Sequence, residues 1–401
     1  MPARRRRLLF IVMTMELGGA ERSLVNLLNL IDYTRFEVDL LIIKRSGVLL
    51  EQIPSQVNVI RVPELDVLYG IRSTSPTSCF SNTRTCLARV VGTLVSRVMR
   101  SHFDPMRLHR WKNWYEEVVP RLEGEYDTAV AYSGGETLYY MVDKVEARNR
   151  VTYFHSDYSQ IPLDVVGENA YLDRVDGIVT ISNRCLASLE SLFPTQVRKM
   201  SVIQNPSSPQ LLHRLALDSQ DLSWPPPGEG FRIVSIGRLH PVKGFDLAVE
   251  AASLLVSRGL GPFKWVIVGE GAERGALERM VSERGIGDVF ELVGLRTNPY
   301  PYLCSSDLLV QPSRFEGKSM VLDEAKVFGK PVVVTSYPSA EDQVLNEVTG
   351  LVVAPTAVGI ADGIERVFRN PELLHRLSRQ AQQAQDPKLG DITQFTLLVG
   401  G

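Results

Sequence analysis

The stretch RFEGKSMVLDEAKVFG, residues 314–329, sets two carboxylates, Glu316 and Glu324, around a Gly-Lys-Ser triplet with seven residues between them. Gly-Lys-Ser opening a helix is the end of a phosphate-binding P-loop, but the full motif needs a glycine at the position of Pro312, which has no N–H to give. The P-loop reading fails there, although the strand–loop–helix context survives. A helix beginning at Ser319, Met320 and Val321 still offers backbone N–H groups to an anion, assisted by the helix dipole. Carboxylates bracketing such a site repel phosphate, so Glu316 and Glu324 are suited to sugar or ribose hydroxyls. The plain alternative is a solvent-facing helix with incidental acids.

Arg238 and Lys243 lie in IVSIGRLHPVKGFDLAVEA, residues 233–251, on a loop between an apparent strand and a helix that follows Gly244. Two cations at the carboxyl end of a parallel strand can neutralise a departing diphosphate. In MTMELGGAERSLVNLL, Gly18 and Gly19 make a turn where backbone can approach a ligand closely. His155 follows a short apolar run in VTYFHSDYS; spacing alone leaves it equally a ligand-facing histidine or a hydrogen-bonded strand end. The glycines of VGEGAERGAL are one residue too widely spaced for a dinucleotide fingerprint.

These residues need elements to hold them. Short apolar runs alternate with helical patterns along all 401 residues. Strands are expected at 8–13, 38–43, 57–62, 128–132, 151–154 and 177–181, and again at 232–236, 265–268, 290–292, 308–311, 331–335 and 350–353. Non-alternating apolar strands separated by helices indicate parallel sheets covered on both faces. SWPPPGEG, residues 223–230, reads as a Pro/Gly linker. The expected division is an N-terminal domain over 1–222 and a C-terminal domain over 231–401. In such doubly wound folds ligands bind at the carboxyl ends of the strands.

Net charge of −2 gives no global excess of positive charge for nucleic acid. The four cysteines show no metal-type spacing and read as reduced thiols in a cytosolic protein. The basic start and short apolar run resemble a signal peptide, but a buried first strand is the favoured reading. No stretch approaches the roughly 18 apolar residues of a spanning helix. Residues 71–112 carry Arg72, Arg84, Arg89, Arg97, Arg100, Arg107, Arg110 and Lys112 against one acid, Asp104, with apolar residues between them at helical spacing. Such a segment either lies on an anionic membrane or binds phosphates, or it is an insertion packed on its own domain; both readings stay open.

Taken together, GGAER, the mid-domain histidine, GRLHPVKGFD, VGEGAERGAL and FEGKSMVLDEAKVFGKPVV resemble, in order and over nearly the whole chain, the retaining glycosyltransferases of family 4. EGKS-x-VLDEAK is similar to a subgroup met in bacterial surface-polysaccharide clusters. The resemblance implies the GT-B fold, two Rossmann-like doubly wound α/β domains facing across a cleft. It implies a metal-independent hexosyltransferase with no cofactor, using a nucleotide-diphosphate sugar as donor and a glycan or lipid-linked saccharide as acceptor. It assigns Arg238, Lys243 and the amides of Gly317, Lys318, Ser319, Met320 and Val321 to the donor diphosphate and sugar, and Glu324 to the ribose. Gly18 and Gly19 approach the donor phosphates, Gly294 and Leu295 the base; His155 and Glu316 belong at the reacting carbon. Lys318 departs from the common pattern and either adds charge to the phosphate site or faces solvent. Implied location is cytoplasmic, peripheral on the inner membrane face. The competing readings are another GT-B enzyme, such as a nucleotide-sugar epimerase or a phosphorylase, and a catalytically silent partner subunit. The family's final helix crosses back onto the N-domain, and the short tail here leaves that brace in question.

Overall fold

The computed structural model describes residues 4–16, 18–70, 83–98, 106–158, 163–218, 222, 224, 225, 228–316, 318–384 and 392–400. They form two compact units, one of residues 1–206 with 391–401, the other of 207–390. In the first, β1 (Arg6–Val12), β2 (Phe36–Ile42), β3 (Asn58–Ile60), β4 (Glu125–Ala131), β5 (Glu146–Phe154), β6 (Gly177–Thr180) and β7 (Met200–Val202) make one sheet. Its order is β3-β2-β1-β4-β5-β6-β7, with every pairing parallel. Leu8 sits opposite Val38 on one side and Thr128 on the other.

The continuous apolar runs have a plain cause. Leu9, Ile11, Leu41 and Ala129 enter a core on one face of the sheet, with Trp111 and Tyr139. Their neighbours Leu8, Phe10, Leu40 and Val130 enter a second core on the other face, with Leu24 and Leu28 of the helix Gly19–Leu30. Successive side chains point to opposite faces, so both sets must be apolar when both faces are covered.

The second unit repeats the scheme with β8 (Phe231–Ile236), β9 (Phe263–Val268), β10 (Phe290–Gly294), β11 (Leu308–Gln311), β12 (Val332–Thr335) and β13 (Gly350–Val353), in the parallel order β10-β9-β8-β11-β12-β13. Ile233, Trp265 and Val310 bury on one face, Val234, Val266 and Leu309 on the other. Each of the twelve expected strands appears. The short edge strand β7 was not expected, since Met200 and Ser201 make no apolar run and all three of its residues are half-buried.

Two boundaries differ from expectation. The helix Pro209–Ala216 belongs to the second unit: Leu212 packs with Tyr300 and Val327, and the Asn298 amide donates to the Leu215 carbonyl at 2.7 Å. The Pro/Gly stretch lies against that same unit, with Trp224 Nε1 donating to Ser305 Oγ at 2.8 Å and Arg232 to the Pro225 carbonyl. The tail, by contrast, returns to the first unit as the helix Thr393–Gly400. Phe395 stacks on Phe10 at 5.8 Å, and Asn149 Nδ2 donates to the Leu398 carbonyl at 3.1 Å. The brace is therefore present.

Of the basic segment, 71–82 and 99–105 lie outside the described residues, with Arg72, Arg100, Asp104 and the side chain of Arg97. The helix Thr83–Val98 turns Leu87, Val90 and Leu94 outward, 63%, 55% and 54% exposed. Arg89 points the other way and donates to the Val67 and Gly70 carbonyls, both at 2.7 Å. It caps the helix Pro63–Tyr69.

Candidate active site

Three loops at the carboxyl edge of the second sheet press so closely that glycine is required between them. Gly244 has φ +66°, and a Cβ there would meet the Pro312 carbonyl oxygen at 2.0 Å. At Gly269 a Cβ would sit 1.8 Å from the Gly237 oxygen. VGEGAERGAL is thus a loop-packing motif, joined to its neighbours by Leu239 N–H donating to Glu270 O and Gly269 N–H to Gly294 O. Arg314 forks onto Asp246 at 2.7 and 2.5 Å, fixing the loop after β11 to the helix Phe245–Ser257. Burial raises the Asp246 pKa, but the Arg314 bonds outweigh it and hold the carboxyl below its ordinary range.

Glu316 is the centre of this edge. Its Oε1 accepts from Lys243 Nζ at 2.6 Å, Ser313 Oγ at 2.6 Å and Gln311 Nε2 at 2.8 Å. Its own carbonyl accepts from Ser339 Oγ at 2.7 Å. Structure therefore brings Lys243 and Glu316 together directly, and a diphosphate would compete with Glu316 for the ammonium. Arg238 stands exposed on the same loop as Lys243. Gly317 lies outside the described residues.

Several expectations change. Ser319 N–H does not wait for an anion: it donates to Gln343 Oε1 at 2.7 Å, while Gln343 Nε2 donates back to the Ser319 carbonyl and Ser319 Oγ to Gln311 Oε1, each at 2.8 Å. The first amides of the helix Met320–Val327, those of Met320 and Val321, have no acceptor a turn earlier within it and remain suited to an anion. Lys318 neither faces solvent nor stands apart; it is largely covered and pairs with Asp323 at 3.3 Å. Glu324 is fully buried, accepting from the Tyr300 hydroxyl at 2.9 Å. Gly294 takes φ +79° and Leu295 beside it is exposed. Sequence reasoning missed Gln311, Ser313, Ser339 and Gln343. Only Gln311 left a trace, as the polar last residue of the otherwise apolar β11.

In the first unit, Gly18 caps the helix Gly19–Leu30 with no side-chain bond, and the space beside the Gly19 Cα is open. His155, just past β5, lies against Tyr132 and Tyr153 at 4.7 and 5.5 Å between ring centroids. Burial drives its pKa down to about 4, against a smaller opposite pull from Asn205 and the Tyr132 main chain. Neither ring nitrogen is in bonding geometry with a partner. The ring is neutral at pH 7. Nearby, Ser23 Oγ donates to Asn205 Oδ1 at 2.8 Å and accepts from Tyr132 Oη at 2.9 Å.

Residues 219–384 match the model of the family described as glycosyl transferases group 1. This stretch is a glycosyltransferase group 1 domain. The chain is also similar to proteins named as glycosyltransferases. One is an alpha-D-kanosaminyltransferase of Streptomyces kanamyceticus, 31% identical over 152 residues, 37% of this chain and 39% of that protein. Another is the lipopolysaccharide core biosynthesis glycosyltransferase LpsD of Rhizobium meliloti, 31% identical over 153 residues, 38% of this chain and 43% of LpsD. The chain thus covers about two fifths of the length of each of these relatives. In structure the whole chain is similar to Anabaena HepE, solved in complex with UDP-glucose: TM-score 0.65, 15% identity, 99% of this chain and 98% of that one. That likeness is one of fold, and the fold is GT-B. Among the described residues no helix is long and apolar enough to cross a membrane, and no cluster of three metal-type side chains is formed.

Proposed function

We propose that the chain is a retaining, metal-independent hexosyltransferase that moves a sugar from a nucleotide-diphosphate sugar to a glycan or lipid-linked acceptor. The observation carrying this reading is Glu316, a carboxylate held by three donors, Lys243, Ser313 and Gln311, beside a helix start. A diphosphate leaving group is met by Arg238, Lys243 and the amides of Met320 and Val321, with no resident cofactor. The bond from the anomeric carbon to phosphate breaks with its electron pair leaving on the nucleotide. The acceptor oxygen bonds to that carbon from the same face, and its proton passes to the departing phosphate oxygen. Glu316 orients the sugar, Glu324 is assigned to the ribose, and Gly18, Gly19 and His155 to phosphates and reacting carbon. HepE was solved with UDP-glucose, which supports a uridine donor.

A panel of UDP-, GDP-, ADP- and TDP-hexoses in a thermal-shift assay tests the donor half. At 100 times its dissociation constant, the true donor adds about 2.7 kcal/mol and raises Tm by several degrees. Arg238→Ala should abolish that shift. No stabilisation of folded wild type by any donor overturns the reading.

LpsD is a lipopolysaccharide core enzyme by name, and a surface-polysaccharide acceptor at the cytoplasmic face of a membrane is the matching proposal here. Leu87, Val90 and Leu94, displayed outward in a cation-rich segment, form the face that would meet anionic lipid. Replacing all three by Glu should release the protein from phosphatidylglycerol vesicles in co-sedimentation. Unchanged binding would sink this part.

A further inference from the structure

The 312–319 loop is flanked by two buried amides that are not among the expected site residues but bond to them. Gln311 ends β11 and Gln343 ends the short helix Ala340–Gln343, and both are nearly covered. Gln343 binds the Ser319 main chain at N–H and carbonyl alike, at 2.7 and 2.8 Å. Gln311 spans the loop, its amide nitrogen donating to Glu316 Oε1 and its amide oxygen accepting from Ser319 Oγ, each at 2.8 Å. A carboxylate only accepts, so the Gln311 amide nitrogen must face Glu316, and the Ser319 hydroxyl fixes that orientation by donating to the other end.

Resting on the glycosyltransferase reading above, we infer that Gln311 is a positioning residue for the transfer step, aimed by Ser319 and with Gln343 anchoring the loop. Lys243, Ser313 and Gln311 all bond Oε1 of Glu316, so Oε2 is the oxygen directed at a hydroxyl of the transferred sugar. Two of those donors are neutral and stay in place when a diphosphate draws Lys243 away. Gln311 and Ser313 then keep the carboxylate aimed while its charged partner changes sides. A loop pinned at both ends keeps the carboxylate at one distance from the anomeric carbon, and displacements near 1 Å are worth about 100-fold in rate.

The test separates binding from turnover. Nucleoside-diphosphate affinity is measured by calorimetry, and donor hydrolysis without acceptor by nucleotide release, using the hexose donor of the UDP, GDP, ADP and TDP panel that wild type binds. Gln311→Ala should lower kcat about 10- to 100-fold with the nucleoside-diphosphate Kd nearly unchanged. Ser319→Ala, which removes only the hydroxyl that orients the amide, should lower kcat less, about 3- to 10-fold on the same scale, and keeps the test open if Gln311→Ala unfolds. Gln311→His, which can still donate to Oε1, should recover part of the lost kcat. If Ser319→Ala and Gln311→Ala weaken nucleotide binding as much as they slow turnover, or leave kcat intact, the positioning role is overturned while the donor site stands. If wild type binds and turns over none of the donors, the glycosyltransferase reading falls and this inference with it.

Discussion

At the carboxyl edge of the second sheet, the candidate carboxylate Glu316 is held by a cation, a hydroxyl and an amide on one oxygen. At the corresponding edge of the first, His155 packs against two tyrosine rings with both nitrogens covered. The same strand–loop–helix frame thus fixes functional groups in two physical ways. Donor bonds to Glu316 fix its direction, so the group is ready for an oriented polar contact. Burial around His155 favours the neutral ring and moves its titration far from its ordinary pH range. One edge is organised by charge and the other by exclusion of water.

The contrast is sharpest in what removing each group should do. Glu316→Ala should lower sugar transfer by about 10²–10³-fold, the scale of losing one preorganised group at a reacting centre. Nucleoside-diphosphate binding should survive, and even tighten, because Lys243 loses the carboxylate it is paired with. Single-turnover kinetics beside calorimetry reads both quantities. Loss of nucleotide binding in parallel with turnover would mean that Glu316 organises the phosphate site instead of the sugar. A covalent glycosyl adduct trapped on wild-type Glu316 would replace orientation with nucleophilic catalysis.

How far the sequence reached follows the same division. Arg238, Lys243 and Glu316 could be found because each follows the carboxyl end of an apolar run, and parallel strands carried such ends to one edge. The sheets themselves were legible because both faces are buried, which leaves no polar interruption in β1 or β12 to obscure them. What escaped depends on partners distant in the chain. Ser319 looked free because nothing local shows that Gln343 takes its N–H. Gln343 sits in a four-residue helix with no periodicity to read. The helix Pro209–Ala216 was placed with the wrong unit since its partners, Tyr300 and Val327, lie about ninety residues or more away, whereas a run of prolines nearby gives a strong local signal. The role of Arg89 stayed open for a similar reason: its charge is visible in sequence, but not the carbonyls of Val67 and Gly70 that claim it.

Exclusion of water in the first unit has a smaller, pH-dependent consequence. Glu168, buried and bonded to the Tyr139 hydroxyl, has its pKa raised to about 7, first by burial and then, in part, by Glu136 and Asp164. Between about pH 4 and 6.5 the unfolded chain holds a proton on His155 that the folded one refuses, so this group makes stability rise with pH. From about pH 4.5 to 7 the folded chain holds a proton on Glu168 that the unfolded one releases, so this group makes stability fall with pH. Each full window is worth about 3 kcal/mol, and the two oppose each other where they overlap. Wild type should therefore gain little from this pair between pH 4.5 and 6.5. Against the wild-type profile in urea unfolding, Glu168→Gln should add an upward slope of about 2–3 kcal/mol across that interval, and His155→Phe a downward slope of similar size. The difference from wild type cancels every other titrating group. Two variants with parallel, unchanged profiles would show that water reaches both side chains, and that the first edge is no drier than the second.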